Sequence, residues 1–310
     1  MPVLLHRTVP WTFAGPLGLL GLLFPNQALG LAPLFFLCSA VILGVPHGAC
    51  DPWVPGWLER HPSRIPFLVT FFVLYLAVSF LYLLVWKQAP WVATLFFLLL
   101  TAWHWGTADA SLLFPPGLRW LAFGLGRGLW VMLTPFAFHT LEAWKVILLM
   151  APDAGPAPSP AFFQGWLLLP LILTLASRPG KTEWGETGLL FLLLALTPPL
   201  VGVGTYFVAF HAWRHLLRLA EIRDHLKPSA EPRIWMSALG RLLLFAVPLT
   251  VATLVFLPAL PVFLGLHPKV LEQWVGAYLI LLAVLTLPHA ILVGWVDWKS
   301  LNLNRSGSAG

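Results

Sequence analysis

The sequence predicts an all-α protein built as one polytopic transmembrane bundle of about nine to ten helices. Three observations carry this. Of 310 residues, 59% are hydrophobic and only 10% are charged, whereas roughly a quarter are charged in soluble domains. Apolar runs close to the roughly 20 residues that cross a bilayer recur along the whole chain rather than at one anchor. Lysine and arginine, counted through alternate loops, gather on one side.

Taken in order, the apolar segments cover 11–25, 30–47, 66–86, 90–114, 118–150, 161–177, 187–201, 203–220, 236–264 and 271–298, each bounded by Pro, Gly or charge. The first follows Arg7 and stops at Pro25; it lacks a small-residue cleavage site and is expected to be retained. The second closes on Pro46-His47-Gly48, and the third runs from Pro66 to Lys87. The fourth opens at Pro90, and the fifth ends at the Ala/Pro/Ser loop 151–160. Arg178 and Lys181 separate the sixth from the seventh, Gly202 the seventh from the eighth. The ninth follows Arg233, and the last lies between Lys269 and Lys299. The first, sixth and seventh are short for a span of about 30 Å, which suits half-helices or tilted helices inside the bundle. Residues 1–300 read as a single integral membrane domain, and 301–310, with Ser306-Gly307-Ser308-Ala309-Gly310, as a disordered linker-like tail.

With the second segment running from outside to inside, one set of loops holds Arg60, Arg64, Arg119, Arg178, Lys181, Arg223, Lys227, Arg233, Lys299 and Arg305. The opposite set holds only Lys87 and Lys269. Basic loops stay on the cytoplasmic side, so the C-terminus is expected there, in the cell (inner) membrane. The same loops account for the net charge of +6, and nucleic acid is not implied. The two cysteines, Cys38 and Cys50, are expected to be free thiols. No internal repeat is visible.

Ionisable groups inside a span cost about 2.5–3.5 kcal/mol each on insertion scales, so they are functional candidates. Here they cluster in motifs: Pro46-His47-Gly48-Ala49-Cys50-Asp51, Trp103-His104-Trp105-Gly106 with Asp109, Tyr206-Phe207 through His211 to Arg214-His215, and Pro288-His289 with Asp297. The alternation gives the four helices the same direction and their histidines a shared depth. His211 and His215 leave one helix face a turn apart and can meet one ion. Imidazole suits iron, copper, nickel or zinc; the scarcity of Cys and of clustered carboxylates argues against iron–sulfur, calcium or a carboxylate-bridged di-iron site.

Metal-bound histidines donate their second N–H to a carboxylate or carbonyl. Asp51 and Asp109 are therefore candidates to orient His47 and His104. His139 and Glu142, three apart on the fifth segment, are expected to form a structural polar pair. His289 is open between ligand, supporting hydrogen bond and packing, and His6, His61, His225 and His267 are expected in loops. Among 17 Trp and 22 Phe, aromatics beside the histidines, Trp103, Trp105, Phe207, Phe210 and Trp213, together with Tyr206, suit a long, flat, apolar substrate.

Taken in order, Pro46-His47-Gly48-Ala49 with Asp51, His104-Trp105-Gly106, Phe138-His139 with Glu142, Tyr206-Phe207 with His211 and Arg214-His215, and Pro288-His289 resemble the Brp/Blh family of membrane-integral β-carotene 15,15′-dioxygenases, bacteriorhodopsin-related proteins. The resemblance extends from about residue 44 to 297; Trp105 stands where the family usually has Phe, and Ala212 where it has Ser. It implies cleavage of β-carotene at its central double bond by O2 to two retinals, one non-haem Fe(II) per chain held by His47, His104, His211 and His215, and a microbial opsin in the same bilayer as retinal acceptor.

Two other classes compete. Membrane desaturases need about eight histidines in repeated boxes, and only one such box is present. A non-enzymatic carotenoid or retinal carrier for opsin assembly, or a transporter with a His/Asp proton relay, would need no iron, and no inverted repeat supports the transporter.

Overall fold

The computed structural model describes residues 4–60, 64–115 and 117–307, with the backbone alone at 40, 298 and 300–307. Among the described residues every regular element is helical. A wide turn at Leu4–Thr8 leads into α1 (Val9–Leu23), and α2 (Pro25–Ser39) continues through a π turn (Ala40–Gly44) into α3 (Val45–Gly48) and α4 (Val54–Glu59). Then come α5 (Ile65–Gln88), α6 (Pro90–Ala110), α7 (Leu118–Phe138), α8 (Thr140–Met150), α9 (Pro160–Trp166), α10 (Leu168–Ser177) and α11 (Lys181–Leu196). Next, α12 (Pro199–Thr205) passes through a second π turn (Tyr206–Ala212) into α13 (Trp213–Asp224), followed by α14 (Pro232–Phe256), α15 (Ala259–Leu264) and α16 (Leu271–Gly307). Proline in the first turn opens α4, α5, α6, α9, α12 and α14, where its missing N–H costs nothing. Left-handed residues close α4 at Arg60, α10 at Arg178, α13 at His225 and α15 at Gly265.

Seven stretches are long and apolar enough to cross a membrane: Pro25–Glu59, Ile65–Gln88, Pro90–Ala110, Leu118–Phe138, Pro160–Ser177, Pro232–Leu264 and Leu271–Asp297. That is what a membrane-integral protein has, and it is fewer than the nine to ten expected. α1 and α11 are shorter, and the α12–α13 stretch, with its histidines and arginines, is too polar on average to qualify. The apolar faces point outward: α5 exposes Val69, Val73, Leu76 and Leu81, a surface that lipid tolerates and water does not.

The fifth predicted segment is not one span. Its helix breaks at His139 (φ −130°, ψ 47°), four residues after Pro135 removes a backbone donor. The 11 residues of α8 reach about 16 Å at 1.5 Å each, half the hydrocarbon. α8 begins where His139 Nε2 meets the Ala195 carbonyl at the end of α11 (3.0 Å). It ends where Trp86 donates to the Met150 carbonyl (3.1 Å) beside the α5–α6 turn. Both ends lie on the same side of the bundle. The opposite side is tied by Arg7–Glu183 (2.6 Å), Arg241–Asp224 (2.6 Å), Arg218–Asp297, Lys299–Glu59 and Arg119 donating to the Ser177 and Arg178 carbonyls. Each contact joins chain ends that the charge alternation puts together.

Glycine sets one helix contact. A Cβ on Gly106 would stand 1.8 Å from the Gly124 carbonyl oxygen, and one on Gly128 would stand 1.7 Å from that of Ala102. α6 and α7 therefore touch backbone to backbone, as small residues permit in membranes, and this clasp brackets His104. His6 is buried in the first wide turn, its carbonyl accepting from Arg214, because the N-terminal turn folds against α13. His61 lies outside the described residues. Cys38 is exposed, Cys50 buried, and both are free.

Candidate metal centre

The second π turn sets the centre up. Tyr206–Ala212 winds wider than an α-helix between two α-helical flanks, so His211 and His215 leave neighbouring turns with their rings nearly parallel, 6.4 Å apart. Such widened turns gather at functional sites. The first π turn ends at Gly44, whose carbonyl accepts from His47 Nδ1 and so leaves Nε2 of that ring free to face inward. α6 delivers His104 and α16 delivers His289.

These elements bring five imidazoles together. His47 lies 5.4 Å from His211, 5.5 Å from His215 and 4.9 Å from His289, centroid to centroid. His104 lies 4.9 Å from His211 and 5.0 Å from His289, and His215 lies 5.1 Å from His289. All five are buried. Ring nitrogens of His47, His211 and His289 come within 4.8 Å of one another. His104 Nε2, both nitrogens of His211, His215 Nε2 and His289 Nε2 are buried without a hydrogen-bond partner. So many stranded polar atoms are costly unless something common to them binds. Imidazoles without thiolates fit a first-row transition metal.

The carboxylates lie elsewhere than the sequence suggests. Asp51 accepts from His289 Nδ1 at 2.9 Å, not from His47, and also from the Tyr75 hydroxyl at 3.1 Å. His47 already spends its Nδ1 on its own helix turn. Asp109 points away from His104 into a buried network: Arg127 Nε at 3.2 Å, Arg214 Nη1 at 2.9 Å and the Tyr206 hydroxyl at 3.0 Å. Glu186 closes it with Arg127 (2.5 Å) and Arg214 (2.9 Å). Two guanidinium groups and two carboxylates cancel, which is what burial demands. His139 and Glu142 do not pair, since the helix breaks at His139, whose ring bonds Ala195 instead.

Aromatic residues divide by role. Trp105 stacks on Phe207 (5.3 Å) and reaches His211 (5.3 Å). Both line an apolar cavity of about 100 Å³ between α2, α6, α7, α8, α12 and α16. A second cavity, about 240 Å³, opens between α5 and α14 and carries His47, His289, Asp51 and Tyr75 on its wall. Trp103, Tyr206 and Phe210 line neither of these two cavities. Tyr206 serves Asp109, and Phe210 lies under the Arg214 guanidinium at 5.1 Å.

Tyr75, Arg127 and Glu186 escape the sequence reading. Arg127 had a signal, a lone guanidinium inside an apolar segment; tyrosine on a membrane helix carries none.

Fold and centre together define a helical membrane-integral protein with a buried polyhistidine site next to two apolar cavities. The family model for β-carotene 15,15′-dioxygenase matches residues 38–297, so the chain belongs to that family. A protein of Halobacterium salinarum named "Probable beta-carotene 15,15'-dioxygenase Blh" is 31% identical over 291 residues, covering 86% of this chain and 84% of its own length. The "Beta-carotene 15,15'-dioxygenase" of uncultured marine bacterium 66A03 is 28% identical over 271 residues, covering 84% and 92%. No solved structure matches.

Proposed function

We propose that the protein cleaves β-carotene at its central 15,15′ double bond with O2 to give two molecules of retinal. One non-haem ferrous ion is held by His47, His104, His211 and His215, with His289 as a further donor. The observation that carries the reading is the convergence of five buried imidazoles with unpartnered nitrogens, inside the stretch that matches the family.

In this reaction the carbon–carbon double bond breaks and each carbon takes one oxygen atom, so both oxygens of O2 end in aldehydes and no other reductant is consumed. The ferrous ion supplies the redox chemistry that O2 needs to react with a closed-shell polyene. The rest is the work of the chain. Neutral imidazoles hold the ion without cancelling its charge, and the Gly44 carbonyl and Asp51 carboxylate fix the tautomers of His47 and His289. Apolar walls exclude water and admit a hydrocarbon that reaches the site from the bilayer. The protein sits in the cell membrane with its C-terminus cytoplasmic and makes ten passes, α1, α11 and α12–α13 completing the set while α8 keeps both its ends on the outer side. Retinal leaves into the same bilayer, where an opsin can take it up.

The purified protein, incubated with β-carotene and Fe(II) under air, should yield retinal as the main chromatographic product. Apocarotenals of unequal length would show eccentric cleavage. No turnover of any carotenoid by the metal-loaded protein would leave a carrier.

A further inference from the structure

The larger apolar cavity has His47 and His289 on its wall, the smaller reaches the centre through Trp105 and Phe207, which contact His211, and shared side chains separate the two. Leu282 of α16 lines both. Phe207 lines the smaller cavity while its ring presses on Gly44, which lines the larger; a Cβ there would stand 2.6 Å from the ring. Tyr278 closes the larger cavity and packs at 6.0 Å against Phe36 of the smaller. This wall abuts the centre: Phe207 is 5.7 Å from the His47 ring, and 6.1 Å from that of His211 with the two rings stacked.

We infer that the two cavities are the two arms of one substrate channel, each taking one half of a rod-like, symmetric polyene. The wall of Leu282, Phe207 and Tyr278 would mark the point where the midpoint of that polyene lies against the histidines. This rests on the carotenoid-cleavage reading above. A cut at the middle bond requires equal lengths of substrate on either side of the reacting carbons, so a site with one arm could not hold the midpoint in place. The larger arm opens toward lipid between α5 and α14 past Phe71, Leu76, Leu249 and Phe256, and is the entrance. The smaller, walled by α6, α7 and α8, receives the first ring, and its depth sets how far that ring travels. Side chains of the wall swing aside for the rod; Leu282 and Phe207 are apolar and bound by no hydrogen bond that would hold them.

The test fills the smaller arm and leaves the centre alone. Ala143→Trp, on α8, and Val203→Phe, on α12, enter that cavity from different helices and touch no histidine. Each variant is first assayed metal-free for β-carotene retained per chain after gel filtration, then for iron per chain and for products. Expected are unchanged iron, loss of retained β-carotene and of its turnover by about tenfold or more, the scale on which a pocket rejects excess bulk. An apocarotenal that keeps one ring and has a shortened second arm should still be cut to retinal. Retinal and unequal aldehydes appearing together would equally support arms that set the register. Normal β-carotene binding with central cleavage in either folded, iron-loaded variant would overturn the inference. If the unaltered protein gives no retinal, the functional reading itself fails, and metal-free retention of β-carotene then judges the channel separately.

Discussion

At the scale of the residue, each histidine of the centre has its own expected loss. Replacing His47, His104, His211 or His215 by Ala should empty most of the iron, measured as metal per chain. His225→Ala, at the left-handed end of α13, should leave it unchanged. His289→Gln and Asp51→Asn should each weaken iron about 10–100-fold, as partners that orient metal-bound imidazoles do; full retention in both would remove His289 from the site. The residues alone marked the histidines within apolar runs as a group, and the family resemblance singled out His47, His104, His211 and His215 among them. Which carboxylate serves which histidine was not legible: Asp51 is four residues from His47, but its side chain turns to a residue 238 positions away. Asp109 misled for the same reason, its partners being contributed by α7 and α13. Asp109→Asn should leave two buried guanidinium groups sharing the one carboxylate of Glu186 and destabilise the fold by about 3–5 kcal/mol, seen as a lower thermal midpoint in detergent.

At the scale of the element, the clasp between α6 and α7 positions His104. Gly128→Val puts a side chain where the Ala102 carbonyl stands, and neither backbone can yield without turning α6. The expected outcome is retained helix content by circular dichroism, a lowered thermal midpoint and reduced iron per chain. Gly240→Val, on α14 with open space around its Cα, should change neither iron nor midpoint by comparison. Most element boundaries were readable from proline, glycine and charge. The break at His139 was not, because apolar residues continue on both sides of it and Pro135 alone does not say where a helix will turn back. The π turns were equally hidden, since a widened turn changes the hydrogen-bond register without changing composition.

At the scale of the whole molecule, the alternation of charge and the contacts between helix ends agree. Every pairing that joins basic loops lies on one side of the bundle, and the α5–α6 turn with both ends of α8 lies on the other. A reporter active only in the periplasm, fused after Leu303, should therefore stay silent, and activity there would reverse the orientation. The bundle as a class was evident from composition. The sequence marked about nine to ten crossings, α12–α13 among them as 203–220, whereas seven described stretches are long and apolar enough to cross; α12–α13 falls short on composition, yet its Arg214 lies where buried carboxylates cancel its charge.

That cancellation also bears on how the chain is made. Asp109 and Arg127 sit on consecutive helices and contact each other at 3.2 Å, while Glu186 and Arg214 sit on another nearby pair and meet at 2.9 Å. Each couple is neutral by itself and can leave the translocon as a hairpin before the other has been synthesised. Only the cross-links Arg127–Glu186 and Arg214–Asp109 require both. The centre divides the same way, with His47 and His104 on the earlier helices and His211, His215 and His289 on the later, so it is complete only when both halves are packed together.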